Sequence, residues 1–507
     1  MPSLSPLLRL LPLYAGDDRE KSDRVVDSLQ KDPWGRFLIY HRKVVQLDLS
    51  DDSLATSQFL LWPGLNSVIP FYVSRGLQRV TIKDFINKAK NKYDGLRKQE
   101  ITSLLAGLSC NAPSLATLIT GTPLDPSMTT AFPHFRSLTT LRITFSSPVP
   151  MDHLAHINAI SGLKRLTLYS RGLKGTPTIP AEGQHLNEYH KLQGKANLEE
   201  LNINGDGTFI LWGAIFFACP TLLRFTGLAT ATSGGIYPVQ GAFLVPHTLD
   251  IIARRSPKLQ RIRFAWDEPT TSVDEELETW EDEPSLRNPQ GLFHAFSQLH
   301  DLTHFEITTV PFIAQDMALQ FVTHATELKN LRSLVLNPRP ITSQPHHQLI
   351  LPTLEHLSEI SANHPDLTYL RITLNLATVP NPTPGALPSL PGHPLRCLFI
   401  TPKYRPVNAP VTEAISVATY LDRLFPRVTD IKSYFENQSK RLGEDADPFN
   451  FVLVQDSAES RHAAEKKRDD VDRALQLWKN VEILLNSYQG MRNQYAAQAQ
   501  ALMSGRA

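Results

Sequence analysis

Apolar residues recur along this 507-residue chain in a fixed phrase: a leucine, two variable positions, a second apolar residue, one variable position and a third. A proline stands two residues ahead of the phrase at Pro113 (Leu115, Leu118, Ile119), Pro220 (Leu222, Phe225), Pro257 (Leu259, Ile262, Phe264) and Pro365 (Leu367, Leu370, Ile372). Without the proline it returns at Leu138/Leu141/Ile143, Leu163/Leu166/Leu168, Leu198/Leu201/Ile203, Leu302/Phe305/Ile307, Leu331/Leu334/Leu336 and Leu395/Leu398/Ile400. In an extended strand successive side chains point to opposite faces, so the apolar members of each phrase face a core and the residues between them face away.

Between these strands the spacing becomes helical, at Ile215/Phe216/Cys219, Leu249/Ile252, Phe321/His324/Leu328 and Leu354/Leu357/Ile360. Each repeat is predicted as helix, break, strand. The proline makes the break, because it cannot continue the helical hydrogen bonds and pushes the preceding residue out of the helical region. The pattern predicts an α/β leucine-rich-repeat solenoid with parallel strands on one face and helices on the other. Successive first leucines from Leu138 to Leu395 lie 24 to 43 residues apart, where regular repeats of this kind keep about 20 to 29. The array is therefore irregular, with insertions.

Two insertions stand out. Residues 267–283 carry nine acidic residues and no basic one, a solvated loop or a docking segment for a basic partner. Residues 378–394 carry six prolines and read as a stiff, extended excursion. From Asp469 to Ala499, Val471, Leu475, Trp478, Val481, Leu485, Tyr488, Met491 and Tyr495 fall three or four apart and predict one long amphipathic helix. A repeat array exposes its last hydrophobic layer, and this helix together with the segment from Val417 to Ile431 would cap it. A coiled-coil dimer is the alternative use of the same helix. The chain is thus expected to divide into a helical lead-in at 1–43, the repeats at 44–410 and a helical cap at 411–507.

Composition leaves this organisation unchanged. Hydrophobic residues make up 41% and charged residues 20%, as in an ordinary folded protein. Formal charge is +1, from 51 Lys and Arg against 50 Asp and Glu, which gives no global reason to expect nucleic acid or a membrane surface as partner. Three cysteines, Cys110, Cys219 and Cys397, show no metal or redox spacing and are expected to be buried and reduced. No stretch approaches the roughly 20 apolar residues that span a bilayer. Arg9 splits the apolar run from Leu4 to Pro12, so it reads as part of the fold and not as a signal peptide. The compartment expected is cytoplasmic or nuclear.

The 17 histidines do not combine with Cys or carboxylates at metal-binding or catalytic spacing. Phosphate-binding glycine loops, nucleophile elbows and kinase signatures are also missing. No catalytic residue, metal ligand or cofactor site is assigned, and an enzyme with a site in the inserted loops is the least favoured of the readings.

Three segments carry a more specific likeness: Leu4 to Pro12; Trp34, Arg36, Phe37, Tyr40, Val44 and Leu47; and Tyr420 to Pro426 with Val428 and Ile431. Their order and spacing resemble fungal F-box proteins with leucine-rich repeats. That resemblance implies repeats that capture the protein to be ubiquitylated, and an N-terminal F-box that binds a Skp-type adaptor of a cullin ligase. No L-P-x-E-[IL] opening occurs near residue 1, so adaptor binding is expected only if an F-box lies upstream. On the family picture, the strand positions between core residues line a concave protein-binding surface: Arg142, Thr167, Asn202, Arg263, Glu306, Val335, Arg371 and Phe399. Mixed sign and polarity suit a protein partner better than a phosphate backbone. Arg263 and Arg371 rank first, as arginine is enriched at binding hot spots. The alternative is a free-standing repeat scaffold that dimerises or binds a partner through its C-terminal helix.

Overall fold

The computed structural model describes residues 45–49, 76–82, 94–170, 173–174, 197–229, 238–266, 297–312, 317–325, 327–340, 350–375, 392–403, 411–433 and 458–504. The segments 4–12 and 34–44, the acidic insertion and all but the last three residues of the proline-rich excursion lie outside them. The chain divides into two units, Met1–Ser256 and Pro257–Ala507.

In the first unit, β1 (Gln46–Leu49), β2 (Arg79–Ile82), β3 (Thr117–Thr120), β4 (Thr140–Thr144), β6 (Arg165–Tyr169), β8 (Glu200–Gly205) and β9 (Arg224–Ala229) pair in that order, every pair parallel. Two short strands, β5 (Val149–Pro150) and β7 (Leu173–Lys174), pair beside them. Helices α1 (Asp94–Asn111), α2 (Met151–Asn158), α3 (Gly207–Phe217) and α4 (Pro238–Arg255) belong to the same unit, with a 3-10 segment at Pro126–His134. In the second unit, β10 (Arg261–Trp266), β11 (His304–Phe312), β12 (Ser333–Pro340), β13 (Tyr369–Asn375), β14 (Cys397–Lys403) and β15 (Asp430–Ser433) again pair in chain order and in parallel. Its helices are α5 (Met317–Ala325), α6 (His356–Asn363), α7 (Val411–Leu424) and α8 (Ala458–Ser504). This is a leucine-rich-repeat architecture with a helical C-terminal element.

The described apolar members of each phrase form the core except Ile119, which is half-buried on the outward side while Thr120 takes the buried position. Leu118, Leu141, Leu166, Leu201 and Phe225 are buried at one register position of the first unit, and Ile262, Phe305, Leu334, Leu370 and Leu398 at the corresponding position of the second. Three strands go beyond the phrases recognised in the sequence. β1 and β2 precede them, with Leu77, Val80 and Ile82 buried as in the others. β15 extends the sheet inside the segment assigned to the cap. The cysteines also differ from expectation, because Cys219 is buried, Cys397 half-buried and Cys110 exposed. Helix α1 buries Ile101, Leu104, Leu105 and Leu108, and Cys110, two residues past Leu108, points to the opposite side.

Entry into β3, β9, β11, β12 and β13 follows one rule. A tight turn precedes the first leucine, whose N–H donates to the carbonyl three residues back: Leu115 to Ala112, Leu222 to Cys219, Leu302 to Leu299, Leu331 to Leu328 and Leu367 to His364, at 3.1–3.2 Å. The residue opening the turn is buried every time, and proline fits the next position because its φ is preset for it. The following two N–H groups then converge on a single carbonyl of the preceding repeat. Thr139 and Thr140 donate to Ala116, Lys164 and Arg165 to Thr139, Arg332 and Ser333 to Thr303, and Thr368 and Tyr369 to Arg332, at 2.8–3.1 Å. Where threonine holds the first of these positions, its hydroxyl joins the same acceptor: Thr139 Oγ1 at 3.0 Å, Thr303 Oγ1 at 2.9 Å and Thr368 Oγ1 at 3.1 Å.

The far end of the second unit is covered as the sequence predicts. Helix α8 packs on α7 and β15 and buries Leu477, Trp478, Val481 and Leu485. Its polar fastenings are Gln489 to the Val428 carbonyl, and Arg492 to the Asp422 carboxylate and, at 3.3 Å, to the Pro426 carbonyl. Beyond Arg492 the helix continues exposed, with Tyr495 and Leu502 more than 70% accessible.

Histidines stand at two strand entries, His364 opening the turn before Leu367 and His393 accepting the Leu395 N–H on Nδ1 at 3.2 Å. His364 is fully buried, with Nδ1 3.1 Å from the Leu328 carbonyl, and His393 Nε2 lies 3.1 Å from the His364 carbonyl. Burial lowers both pKa values, that of His364 to about 4. The folded state therefore takes up a proton on His364 only near pH 4, whereas the unfolded chain does so near 6.5. Its contribution to stability is complete above pH 6.5 and is lost as pH falls toward 4, amounting to roughly 3 kcal/mol over that window. Thermal unfolding of the wild type should show a melting temperature that drops between pH 7 and pH 5. In His364→Gln that drop should be visibly shallower.

Candidate functional site

Parallel register turns alternation within one strand into columns across many. The position between the two core residues of each phrase forms a single row on each unit. In the first unit the row runs Asp48, Thr81, Ile119, Arg142, Thr167, Asn202, Thr226. In the second it runs Arg263, Glu306, Val335, Arg371, Phe399, Lys432. All eight residues singled out in the sequence stand in these two rows, three on one unit and five on the other.

Their surroundings differ. Arg142 is exposed and lies over the Tyr169 ring, 5.0 Å from its centroid. Thr167 and Asn202 are half-buried, and Asn202 Nδ2 donates to Glu200 Oε1 at 3.0 Å. On the second unit Arg263 Nε meets Glu306 Oε1 at 3.1 Å, and Thr308 Oγ1 donates to the same oxygen at 3.2 Å. Phe399 packs against Tyr369, with ring centroids 5.3 Å apart and planes tilted by 36°. Arg371 lies close enough to Tyr369 to act on its ionisation. Val335 departs from expectation: it stands in the row but is only 7% exposed. Glu306 and Arg371 flank it in register on the neighbouring strands. It therefore contributes support to the face and not contact area.

A second outward row, at the position just before the second core residue, was missed. It holds Arg261, His304, Ser333, Tyr369, Cys397 and Asp430 on the second unit. Counting outward positions on both sides of the central apolar residue would have found it, since parity alone places them. Burial raises the pKa of Tyr369, with Arg371 acting in the opposite direction, so its hydroxyl is a neutral donor at physiological pH. Burial lowers the pKa of His304, and Arg261 and Arg332 lower it further, so the imidazole is uncharged there. The second unit's face thus offers an aromatic pair, a neutral phenol and imidazole, and a carboxylate already satisfied by an arginine and a threonine. These groups suit recognition of a polypeptide surface, with apolar anchors and hydrogen-bonding neighbours. Among the described residues, no group of three or more His, Cys, Asp or Glu is placed to hold a metal ion, and no helix is long and apolar enough to cross a membrane.

No family model and no curated protein matches the chain. Solved structures with some likeness include an internalin (InlF) from Listeria monocytogenes, at 12% identity and a TM-score of 0.30 over 74% of this chain and 92% of that one. The yeast Rad7 and Elc1 complex is another, at 13% identity and a TM-score of 0.30 over 91% of this chain and all of that one. At those values neither likeness bears on function, and the repeat architecture rests on the strand order and register.

The Arg263–Glu306 pair is partly open to solvent, with side chains 47% and 31% exposed, and a pair of that kind contributes no more than about 1 kcal/mol. Replacing Arg263 with Ala should therefore leave the melting temperature within a few degrees of wild type by differential scanning calorimetry. A large drop would show that the face holds the fold together and does not stand ready for a partner.

Proposed function

We propose that this chain is a non-catalytic protein-binding repeat module whose strand faces capture a partner protein. The observation that carries the reading is the register itself. It gathers Arg263, Glu306, Arg371 and Phe399 from four strands into one row, with Tyr369 packed against Phe399. Arginine and tyrosine clustered near the centre of a face are the residues that most often dominate protein interfaces. In its finer form, drawn from the family resemblance, the module is the substrate-recognition part of an F-box-type ubiquitin-ligase receptor. The repeats at 44–410 would hold the substrate and 411–507 would close the array. Recruitment to a ligase would require an F-box and its Skp-type adaptor.

The test is affinity purification of tagged wild type and of the Arg263→Ala/Arg371→Ala variant, with co-purifying proteins quantified by mass spectrometry. Loss of a hot-spot arginine costs about 2 kcal/mol or more, roughly a thirtyfold fall in affinity, so at least one partner should fall away from the variant. Retention of every partner would remove this face from the interaction.

A second reading is a free-standing scaffold that pairs through α8. It draws on Met491, Tyr495 and Leu502, which lie exposed on the outer part of that helix. It predicts a concentration-dependent dimer in sedimentation velocity that disappears on deleting residues 493–507, a cut that spares the docked layer of Trp478, Val481 and Leu485. A monomer at all concentrations would exclude it.

A further inference from the structure

The strand face of the first unit carries a charge pattern that specifies its partner's chemistry. Four arginines stand exposed on it: Arg79 on β2, Arg142 on β4, Arg165 on β6 and Arg224 on β9. Two carboxylates share the face, and both are engaged. Gln46 Nε2 donates to Asp48 Oδ2 at 3.2 Å. Glu200 accepts from Asn202 at 3.0 Å and lies 3.9 Å from Arg224. At the strand entries Lys164 and Glu199 neutralise one another at 2.8 Å. Among the described residues, no carboxylate lies within 4 Å of Arg79, Arg142 or Arg165, and the nearest acidic charges to Arg165 are Glu200, opposite it in register, and Glu199. The second unit's row differs, since Arg263 there already has Glu306.

Small hydrogen-bonding side chains occupy the places between these arginines. Thr81, Thr117, Thr140, Thr167, Asn202 and Thr226 are half-buried on the same face. Arg142 and Arg165 sit on adjacent strands, two residues apart in register, which places their Cα atoms roughly 8 Å apart on a diagonal. Alternate residues of an extended peptide repeat at about 6.6–6.8 Å, within the reach of two flexible arginine side chains. Guanidinium groups take carboxylates in paired, charge-assisted hydrogen bonds, while hydroxyl and amide groups can serve a peptide backbone. A nucleic-acid strand fits less well, because Asp48 and Glu200 interrupt the positive field and Arg142 already covers the Tyr169 ring, the kind of side chain on which a base would stack.

We propose that the strand face of the first unit takes an extended, carboxylate-rich protein segment, with Arg142 and Arg165 as central anchors and Arg79 as an outer one. The proposal rests on the protein-binding reading above and adds the chemical class of the partner. Seven strands span about 29 Å, so a peptide of about nine residues crosses the face.

Fluorescence anisotropy on the full chain tests it, using three labelled probes: a nine-residue peptide of alternating Glu and Ser, the same peptide with Gln for Glu, and a single-stranded oligodeoxynucleotide of similar length. The Glu peptide should bind at least about tenfold tighter than the Gln peptide and weaken as salt is raised, as exposed charge pairs do. Arg142→Ala/Arg165→Ala should lose about tenfold or more of that affinity with an unchanged melting temperature. Arg254→Ala, which removes an exposed arginine paired with Asp250 on α4 at 2.9 Å, should bind as wild type. Equal binding of the Glu and Gln peptides, or a Glu peptide indifferent to the Arg142/Arg165 replacements, would overturn the acidic-partner proposal and leave the protein-binding reading in place. Arginine-dependent binding of the oligodeoxynucleotide without the Glu peptide, or no binding of any probe, would overturn it as well. Loss of partner capture by the second unit would instead be read from the Arg263 and Arg371 variants, so the two failures are separable.

Discussion

Two backbone N–H groups meeting one carbonyl at each strand entry is the constraint on which the other features depend. Within each unit this bond pair recurs from repeat to repeat, from Val45 accepting Gln78 and Arg79 to Arg396 accepting Thr429 and Asp430. It fixes where each strand begins relative to the last, and a slip of one residue would turn every leucine of a strand away from the core. Buried polar backbone must be satisfied, so the bonds withstand changes in loop length between repeats. That is why repeats spaced as irregularly as these still stack in register.

Register, once fixed, makes function collective. A single exposed arginine on a strand is an ordinary surface residue, yet rows of outward side chains from six or seven strands form a continuous face about as long as an extended peptide. The two units have used this frame differently. On the second, Arg263 is matched by Glu306 and the aromatic rings of Tyr369 and Phe399 lie together, giving one paired charge beside apolar anchors. On the first, arginines outnumber acceptors.

The C-terminal helix solves a problem particular to repeat arrays. The last strand layer has no following repeat to cover its apolar side. Trp478, Val481 and Leu485 supply that cover, and Arg492 and Gln489 hold the helix by bonds to Asp422, Pro426 and Val428. Past Arg492 the described apolar side chains Tyr495 and Leu502 stand exposed.

The amino-acid sequence by itself determined the repeat, the helix–turn–strand order within it, the side of each strand that faces the core and the capping helix, because period-two and period-3.6 spacing are local properties that hydrophobic burial reads directly. It also placed Arg142, Thr167, Asn202, Arg263, Glu306, Arg371 and Phe399 on outward positions by parity alone. Strand β2 keeps the spacing of the other phrases in Leu77, Val80 and Ile82, with valine in place of the second leucine, and β15 follows a helix that reads as cap. Only the tertiary structure decided that Val335 is buried within its row, that Tyr369 joins Phe399 and that Glu306 neutralises Arg263. Each of these depends on which residue of a neighbouring strand, dozens of positions away in the chain, lies alongside, and that neighbour is set by long-range hydrogen bonds that no local pattern specifies.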